Sequence, residues 1–415
     1  MNGYFAKSSE HGEKMGKFDP KRIFIYEKIR DSQLVKKIVS HFPSAKIEYI
    51  PDQLPITIKK REPRFAKIHK KNKNAGIVDI AKSLLVIGAA NRSQFVEKFK
   101  NKQDCLCPEF YSITPLNNGC YYSCVYCYLQ MTYRGVFPYI KINVNFDDLK
   151  KAIVDVAKRE WVRYGRGTSF NCGEKLDSLS FDYYLELSKI LVPFFSETPE
   201  LKHSILLMLT KSDNVNNLIK IATENPRVTK NTVLSWSLNS EEFSQRYEIG
   251  SPSPVRRLCA AKKCQDVGYK IRLRIDPLLL LPKWKAGYNE LIDDIFMTYG
   301  LRPEVVTLGA LRFETGLDSL AKERFNGTEL FNYNFVVEGR DKHRYKAGDR
   351  VNLYTYLIEK IESCCQRKGI PVPHIGLCKE KKEVWEKVGL NLKECHCNCV
   401  RNWQARNVLK SLGAS

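Results

Sequence analysis

The sequence predicts a mixed α/β fold centred on a partial (β/α) barrel of the TIM type, and three observations predict it. Beyond residue 108, short β-rich runs alternate with longer helical ones five or six times in succession. The first hundred residues read as a separate small α/β unit. A chain of 415 residues that is 43% hydrophobic can bury the large core such a barrel needs.

In order along the chain, the strand-like runs Arg22–Tyr26 and Ser83–Gly88 bracket a helical pattern at Asp31–Ser40. The stretch Lys59–Lys73 is packed with Lys and Arg, suiting either a solvated loop or a phosphate-contacting segment. Strand and helix patterns then alternate: Tyr139–Val144 and Phe146–Tyr164, Thr168–Asn171 and Ser180–Phe195, Ser204–Leu209 and Val215–Glu224. Val233–Leu238 and Pro254–Val267, Lys270–Ile275 and Tyr288–Tyr299, and Val305–Leu308 follow. Parallel strands joined by crossover helices place chemistry at the strand C-terminal ends. After Phe313 the rhythm breaks into a Tyr/Arg/Lys-rich insertion, a helix at Val351–Lys368 and a Cys-rich tail. The expected units are 1–104, 105–320 and 321–415.

Lys and Arg total 68 against 46 Asp and Glu, a net charge of +22 that suits a polyanionic partner, nucleic acid first. No apolar run of about 18 residues and no secretory leader is present, so the expectation is a cytoplasmic protein with no membrane partner. The 14 cysteines cluster too tightly for a disulfide framework, as in Cys105/Cys107, Cys120/Cys124/Cys127 and Cys395/Cys397/Cys399. Metal or iron–sulfur ligation is the better reading.

Cys120, Cys124 and Cys127 are spaced C-x3-C-x2-C after the turn residues Pro115, Asn117, Asn118 and Gly119. Three thiolates on one short loop can bind one corner of a cubane and leave a fourth iron open. Positions i, i+4 and i+7 also share one face of a helix, so plain core cysteines are the competing reading.

This spacing, with Tyr126 just before the last cysteine, resembles the signature of the radical S-adenosylmethionine (radical SAM) superfamily. The run Cys124–Gln130 with Phe137–Asn145 resembles the spore photoproduct lyases more closely. Collinear echoes are Leu209–Val215, Trp236–Asn239, Ala260–Lys263, Gly268-Tyr269, Pro277 with Trp284 and Tyr288, and Leu311–Phe313, so the likeness covers roughly residues 75 to 320. The resemblance implies a [4Fe-4S] cluster on the triplet, S-adenosylmethionine on its open iron, and a lyase that reverses a thymine dimer in damaged DNA. It implies cofactor contacts from Tyr126, Gly173, Glu174, Lys211, Ser237 and Asn239, and lesion contacts from Arg312, Tyr128, Trp284 and Tyr288. Tyr126 and Tyr128 would lie on the radical path. Cys172 would return hydrogen to the substrate, although it falls about two residues early in the lyase register. An external electron donor such as flavodoxin or ferredoxin is implied, and a monomer is favoured.

The tail departs from those lyases. Cys378 and the C-x-C-x-C run Cys395, Cys397, Cys399 pack soft ligands densely enough for a second iron–sulfur cluster or a zinc site, alternatives being redox-active or packed thiols. Such a tail also fits radical enzymes that modify RNA or a peptide, and a non-catalytic metalloprotein binding nucleic acid remains a third reading. Tyr333, Tyr345 and Tyr354, interleaved with Arg340, Arg344 and Arg350, suit either a nucleic-acid face or an ordinary amphipathic insertion.

Overall fold

The computed structural model describes residues 18–52, 77–99, 110–132, 139–339 and 341–390. Two sheets organise them. The first has the order β2-β1-β3-β8-β6, from β1 (Arg22–Tyr26), β2 (Lys46–Ile50), β3 (Leu84–Gly88), β6 (Leu116–Asn117) and β8 (Ile140–Asn143). Its central strand β3, Leu-Leu-Val-Ile-Gly, is buried throughout, as a parallel strand covered on both faces must be.

The second sheet has eight strands in the order β18-β14-β13-β11-β10-β9-β5-β4. These are β4 (Val96–Phe99), β5 (Phe110–Ile113), β9 (Ser169–Cys172), β10 (Ile205–Thr210), β11 (Thr232–Leu238), β13 (Lys270–Leu278), β14 (Val305–Ala310) and β18 (His374–Leu377). Strands β5 to β18 run parallel and only the edge strand β4 is antiparallel. Among the described residues β4 and β18 do not pair with each other, so the sheet is open.

The crossover helices are α1 (Gln33–Ser40), α2 (Phe146–Tyr164), α3 (Leu187–Glu197), α4 (Asn216–Glu224), α5 (Glu241–Tyr247), α6 (Pro254–Asp266), α7 (Trp284–Asp293) and α8 (Ala347–Lys368). Helix α2 shows why they form where they do. Asp147 and Asp148 occupy its first turn and Arg163 its last, complementing the helix dipole, and Gly165 stops it at φ 61°. Leu149, Ile153 and Val156 supply its buried face.

The strands of the second sheet are two-faced. Ile271, Leu273 and Ile275 of β13, with Leu234 and Trp236 of β11, join the helices in the main core. The alternate residues Arg272, Arg274 and Asp276, with Ser235 and Ser237, face the other side. Chemistry-bearing groups therefore concentrate on the inner face, near the C-terminal ends.

Three expectations change. The strand at 139–144 is not the first of the barrel: as β8 it pairs with β3 and β6, and β5 takes that place beside β9. Sheet membership crosses residue 104, since β8 belongs to the first sheet while β4 at 96–99 belongs to the second. The Tyr/Arg set after residue 330 is largely core. Tyr345 and Tyr354 are fully buried, and Arg344 and Arg350 pair with the buried Glu380 and with Glu338. Only Tyr333 of that set is exposed, and Arg340 lies outside the described residues.

Candidate active site

The cysteine loop leaves the first sheet at β6 and returns to it at β8. Gly119 opens it in a space only glycine fits. A Cβ there would lie 2.5 Å from Leu116 Cβ and 2.8 Å from Leu176 Cβ. Its carbonyl accepts from the Asp177 amide at 3.0 Å, which stitches the loop to the segment after β9. Cys124 sits in the two-residue strand β7 (Ser123–Cys124), paired antiparallel with β12 (Glu248–Ile249). The amide of Val125 donates to the Tyr247 carbonyl at 2.8 Å, and the buried Gln130 amide donates to the Cys124 and Val125 carbonyls.

Burial pushes the Cys120 thiol well up, and the charges of Asp177, Cys127 and Cys124 add to it. Burial likewise pushes Cys124 to about 12. Cys124 is buried, while Cys120 and Cys127 are half-buried on the same loop. Among the described residues no three His, Cys, Asp or Glu side chains converge tightly enough for a single ion. A cubane gives each thiolate its own iron. The donor set, three soft ligands on one loop, fits the cluster.

Around this loop the fold gathers several of the expected residues. Lys211, at the end of β10, donates to Ser237 Oγ at 2.9 Å and lies 5.9 Å from the Tyr126 ring centroid. The Tyr126 hydroxyl donates to Glu248, and the Tyr128 hydroxyl donates to the Glu174 carbonyl. Asp177, buried beneath, accepts from Thr210 Oγ1 and from the amides of Lys211, Leu179 and Ser180. Burial still raises its pKa despite those four donors.

Across the strand ends, Ser237 Oγ donates to the Asp276 carbonyl at 3.3 Å. The Asp276 carboxylate takes a two-pronged pair from Arg312, at 3.0 and 3.1 Å. Gly309 makes room, because a Cβ there would lie 2.6 Å from Asp276 Cγ. Arg312 Nη2 and Arg274 Nη2 also reach the Cys378 sulfur, at 3.1 and 3.5 Å. One polar strip therefore runs from the cysteine loop to Arg312 and Cys378 along the ends of β10, β11, β13, β14 and β18.

Other expected residues are placed elsewhere. Cys172 is fully buried, and it shares a side of β9 with Phe170, whose ring meets Phe195 of α3. Its thiol lies in the main core, close to Ser178 and Asp177. Asn239 and Tyr288 are also fully buried, bonded to each other at 3.1 Å, and Asn239 donates to the Pro277 carbonyl. Gly173 is needed for packing, since a Cβ would lie 2.6 Å from Leu209 Cβ. Trp284 packs edge-on against Tyr356. Cys378 meets the guanidinium groups of Arg274 and Arg312 and the Asp276 carboxylate. Cys105, Cys107, Cys395, Cys397 and Cys399 lie outside the described residues.

The sequence reading missed Glu248, Arg257, Asp177 and Asp276. Arg257 alone carried a signal: it occupies the same helical stripe as Leu258, Ala261 and Cys264, where a charge needs a buried partner.

With this geometry in place, the comparison with known sequences is informative. The family model described as spore photoproduct lyase matches residues 18–315. The chain belongs to the spore photoproduct lyase family. A spore photoproduct lyase of Clostridium acetobutylicum is 26% identical over 287 residues, 68% of this chain and 79% of that protein. A solved spore photoproduct lyase complexed with dinucleoside spore photoproduct superposes with a TM-score of 0.68 at 23% identity, over 87% of this chain and 100% of that one. A mutant lyase with bound AdoMet and dinucleoside spore photoproduct gives 0.67 at 22% identity, over 86% and 98%. The family match ends before β16 (Val336–Glu338), β17 (Lys342–Arg344), α8 and Cys378, so these features lie beyond it.

Proposed function

We propose that the chain is a radical SAM lyase that repairs spore photoproduct, a cross-linked thymine dimer in DNA, at the open end of a partial (β/α) barrel. The carrying observation is the continuous polar strip from the cysteine loop to Arg312, in a member of the lyase family. Cys120, Cys124 and Cys127 hold the [4Fe-4S] cluster. Tyr126, Glu174, Lys211 and Ser237 surround the S-adenosylmethionine site. When bound, the cluster and S-adenosylmethionine supply the 5′-deoxyadenosyl radical that abstracts hydrogen from the lesion.

The chain's own residues bind, orient and exclude water. Lys211 offers an ammonium to the cofactor's carboxylate while Ser237 fixes its direction. Arg312, held flat by Asp276, presents a preset guanidinium to the lesion, and the exposed Tyr128 stands at the cofactor end, bonded to the Glu174 carbonyl. A stacked dimer cannot reach a site among strand ends, so the lesion is flipped out, and a damaged base costs least to unstack. The +22 charge favours the DNA backbone. A small external carrier in the cytoplasm delivers the electron, and the working unit is a monomer.

The test is anaerobic reconstitution followed by reduction with S-adenosylmethionine, with and without a dinucleotide spore photoproduct. Release of 5′-deoxyadenosine and recovery of two thymines are expected. A reconstituted chain that yields neither overturns the reading.

A further inference from the structure

Behind the cysteine loop lies a buried ionic group whose members make more contacts with the site than packing requires. Glu248 is 1% exposed at its side chain and Arg257 is 0%, with Oε2 and Nη2 2.5 Å apart. Two cations flank this carboxylate, Arg257 in contact and Lys211 Nζ at 3.7 Å. Arg257 is fully committed, donating to the carbonyls of Pro252 and Ser237 and to the hydroxyls of Ser244 and Ser251.

Glu248 touches the site in three ways. Its backbone pairs with Cys124 across the β7–β12 ladder. Its Oε1 accepts from the Tyr126 hydroxyl. The same carboxylate lies 3.7 Å from Lys211 Nζ, farther than the 2.9 Å from Lys211 to Ser237. That inequality matters. With two cations beside one carboxylate, Arg257 takes the closer and stronger pairing, so Lys211 is aimed by Glu248 without being neutralised by it. An ammonium has three donors: one goes to Ser237 at 2.9 Å and Glu248 at 3.7 Å lies beyond hydrogen-bond length, so Lys211 can still donate to an incoming anion.

We propose that Glu248, charge-balanced by Arg257, is a positioning residue. It fixes Lys211 relative to the Cys124 strand and so sets the affinity of the site for the carboxylate end of S-adenosylmethionine. This rests on the cofactor reading above.

The test uses the anaerobically reconstituted full chain and two readouts besides activity. They are the S-adenosylmethionine dissociation constant by calorimetry and the change in the reduced cluster's paramagnetic resonance spectrum when S-adenosylmethionine is added. The variants are Glu248→Gln, Lys211→Met and their combination. Glu248→Gln is expected to keep its iron and bind about tenfold more weakly, which is about 1.4 kcal/mol. In the Lys211→Met background the same change is expected to weaken binding less than twofold, because its effect runs through the lysine. A purely structural role would weaken both backgrounds equally, and that result overturns the proposal, as does unchanged affinity in Glu248→Gln. If the lone Arg257 charge prevents folding, Glu248→Gln combined with Arg257→Gln keeps the site neutral, and the same comparison decides. Failure of the unmodified chain to bind S-adenosylmethionine defeats the cofactor reading instead.

Discussion

Replacing Gly119 with alanine probes how tightly the cysteine loop is closed. The new Cβ would sit 2.5 and 2.8 Å from the Cβ atoms of Leu116 and Leu176, both fixed to backbone, so neither can swing away. Reaching the 3.4 Å of ordinary contact requires the two sides of the loop base to part by about 0.9 and 0.6 Å. Overpacking of this kind costs roughly 1–3 kcal/mol. In a unit of this size each kcal/mol lowers Tm by about 2–4 °C, so a fall of roughly 2–12 °C is expected. The same parting pulls Cys120 from Cys124 and Cys127, so iron and sulfide bound per chain should fall as well. Calorimetry of the apo chain and metal analysis after reconstitution measure the two effects. Gly348→Ala is the control: nothing lies within 4 Å of that Cβ in α8, so stability should rise by about 0.5–1 kcal/mol with iron unchanged. A Gly119→Ala chain with unaltered Tm and a full iron complement would refute the reasoning.

Cys172→Ala should leave the repair products unchanged, because the thiol lies in the main core; chromatography showing diverted products would return it to the mechanism. Arg312→Lys loses the two-pronged pairing with Asp276, so repair should drop by about tenfold or more while cofactor cleavage continues; equal losses in both assays would count against lesion binding. Arg350→Ala leaves Glu380 and Glu338 short of a buried partner and should cost roughly 3–5 kcal/mol in denaturant titration, a loss below 1 kcal/mol contradicting the buried assignment. Glu186 is held down to about 2 by its bonds to Lys189 and then Lys37 of α1. A depressed carboxyl stabilises above its unfolded value and loses that effect as pH falls through its folded value. The contact should therefore weaken between about 4.5 and 2, and Glu186→Gln should flatten that acid limb of the stability curve.

Element types were legible wherever local chemistry determines them. Helix α2 spans the predicted Phe146–Tyr164, because dipole-matched ends and a glycine stop reinforce its apolar stripe. Periodicity says nothing about which sheet a strand joins, which is why β8 was expected in the barrel and is found beside β3. The cysteine loop, Lys211, Ser237 and Arg312 were legible through the family pattern, and the fold brings them onto one strip. Cys172 shows the limit: a register uncertain by two residues keeps the same face but moves the donor roughly 7 Å along the strand, far enough to miss one site. Tyr354 and Arg350 interleave as a nucleic-acid face would, yet the buried Glu380, 26 residues beyond Tyr354, draws both inward. Glu248 was invisible because its partners come from 122 residues upstream and from the neighbouring helix.

Both ends of the cysteine loop are rooted in the N-terminal sheet, at β6 and β8. A fragment beginning near residue 105 would strip β1, β2 and β3 from β8 and bare its hydrogen-bonding edge, inviting aggregation. Radical chemistry in this protein should therefore prove inseparable from its first ninety residues: proteolytic nicking there is expected to release iron before it touches the catalytic sheet. The leading segment serves as foundation, and library or truncation work should treat it as part of the metal centre.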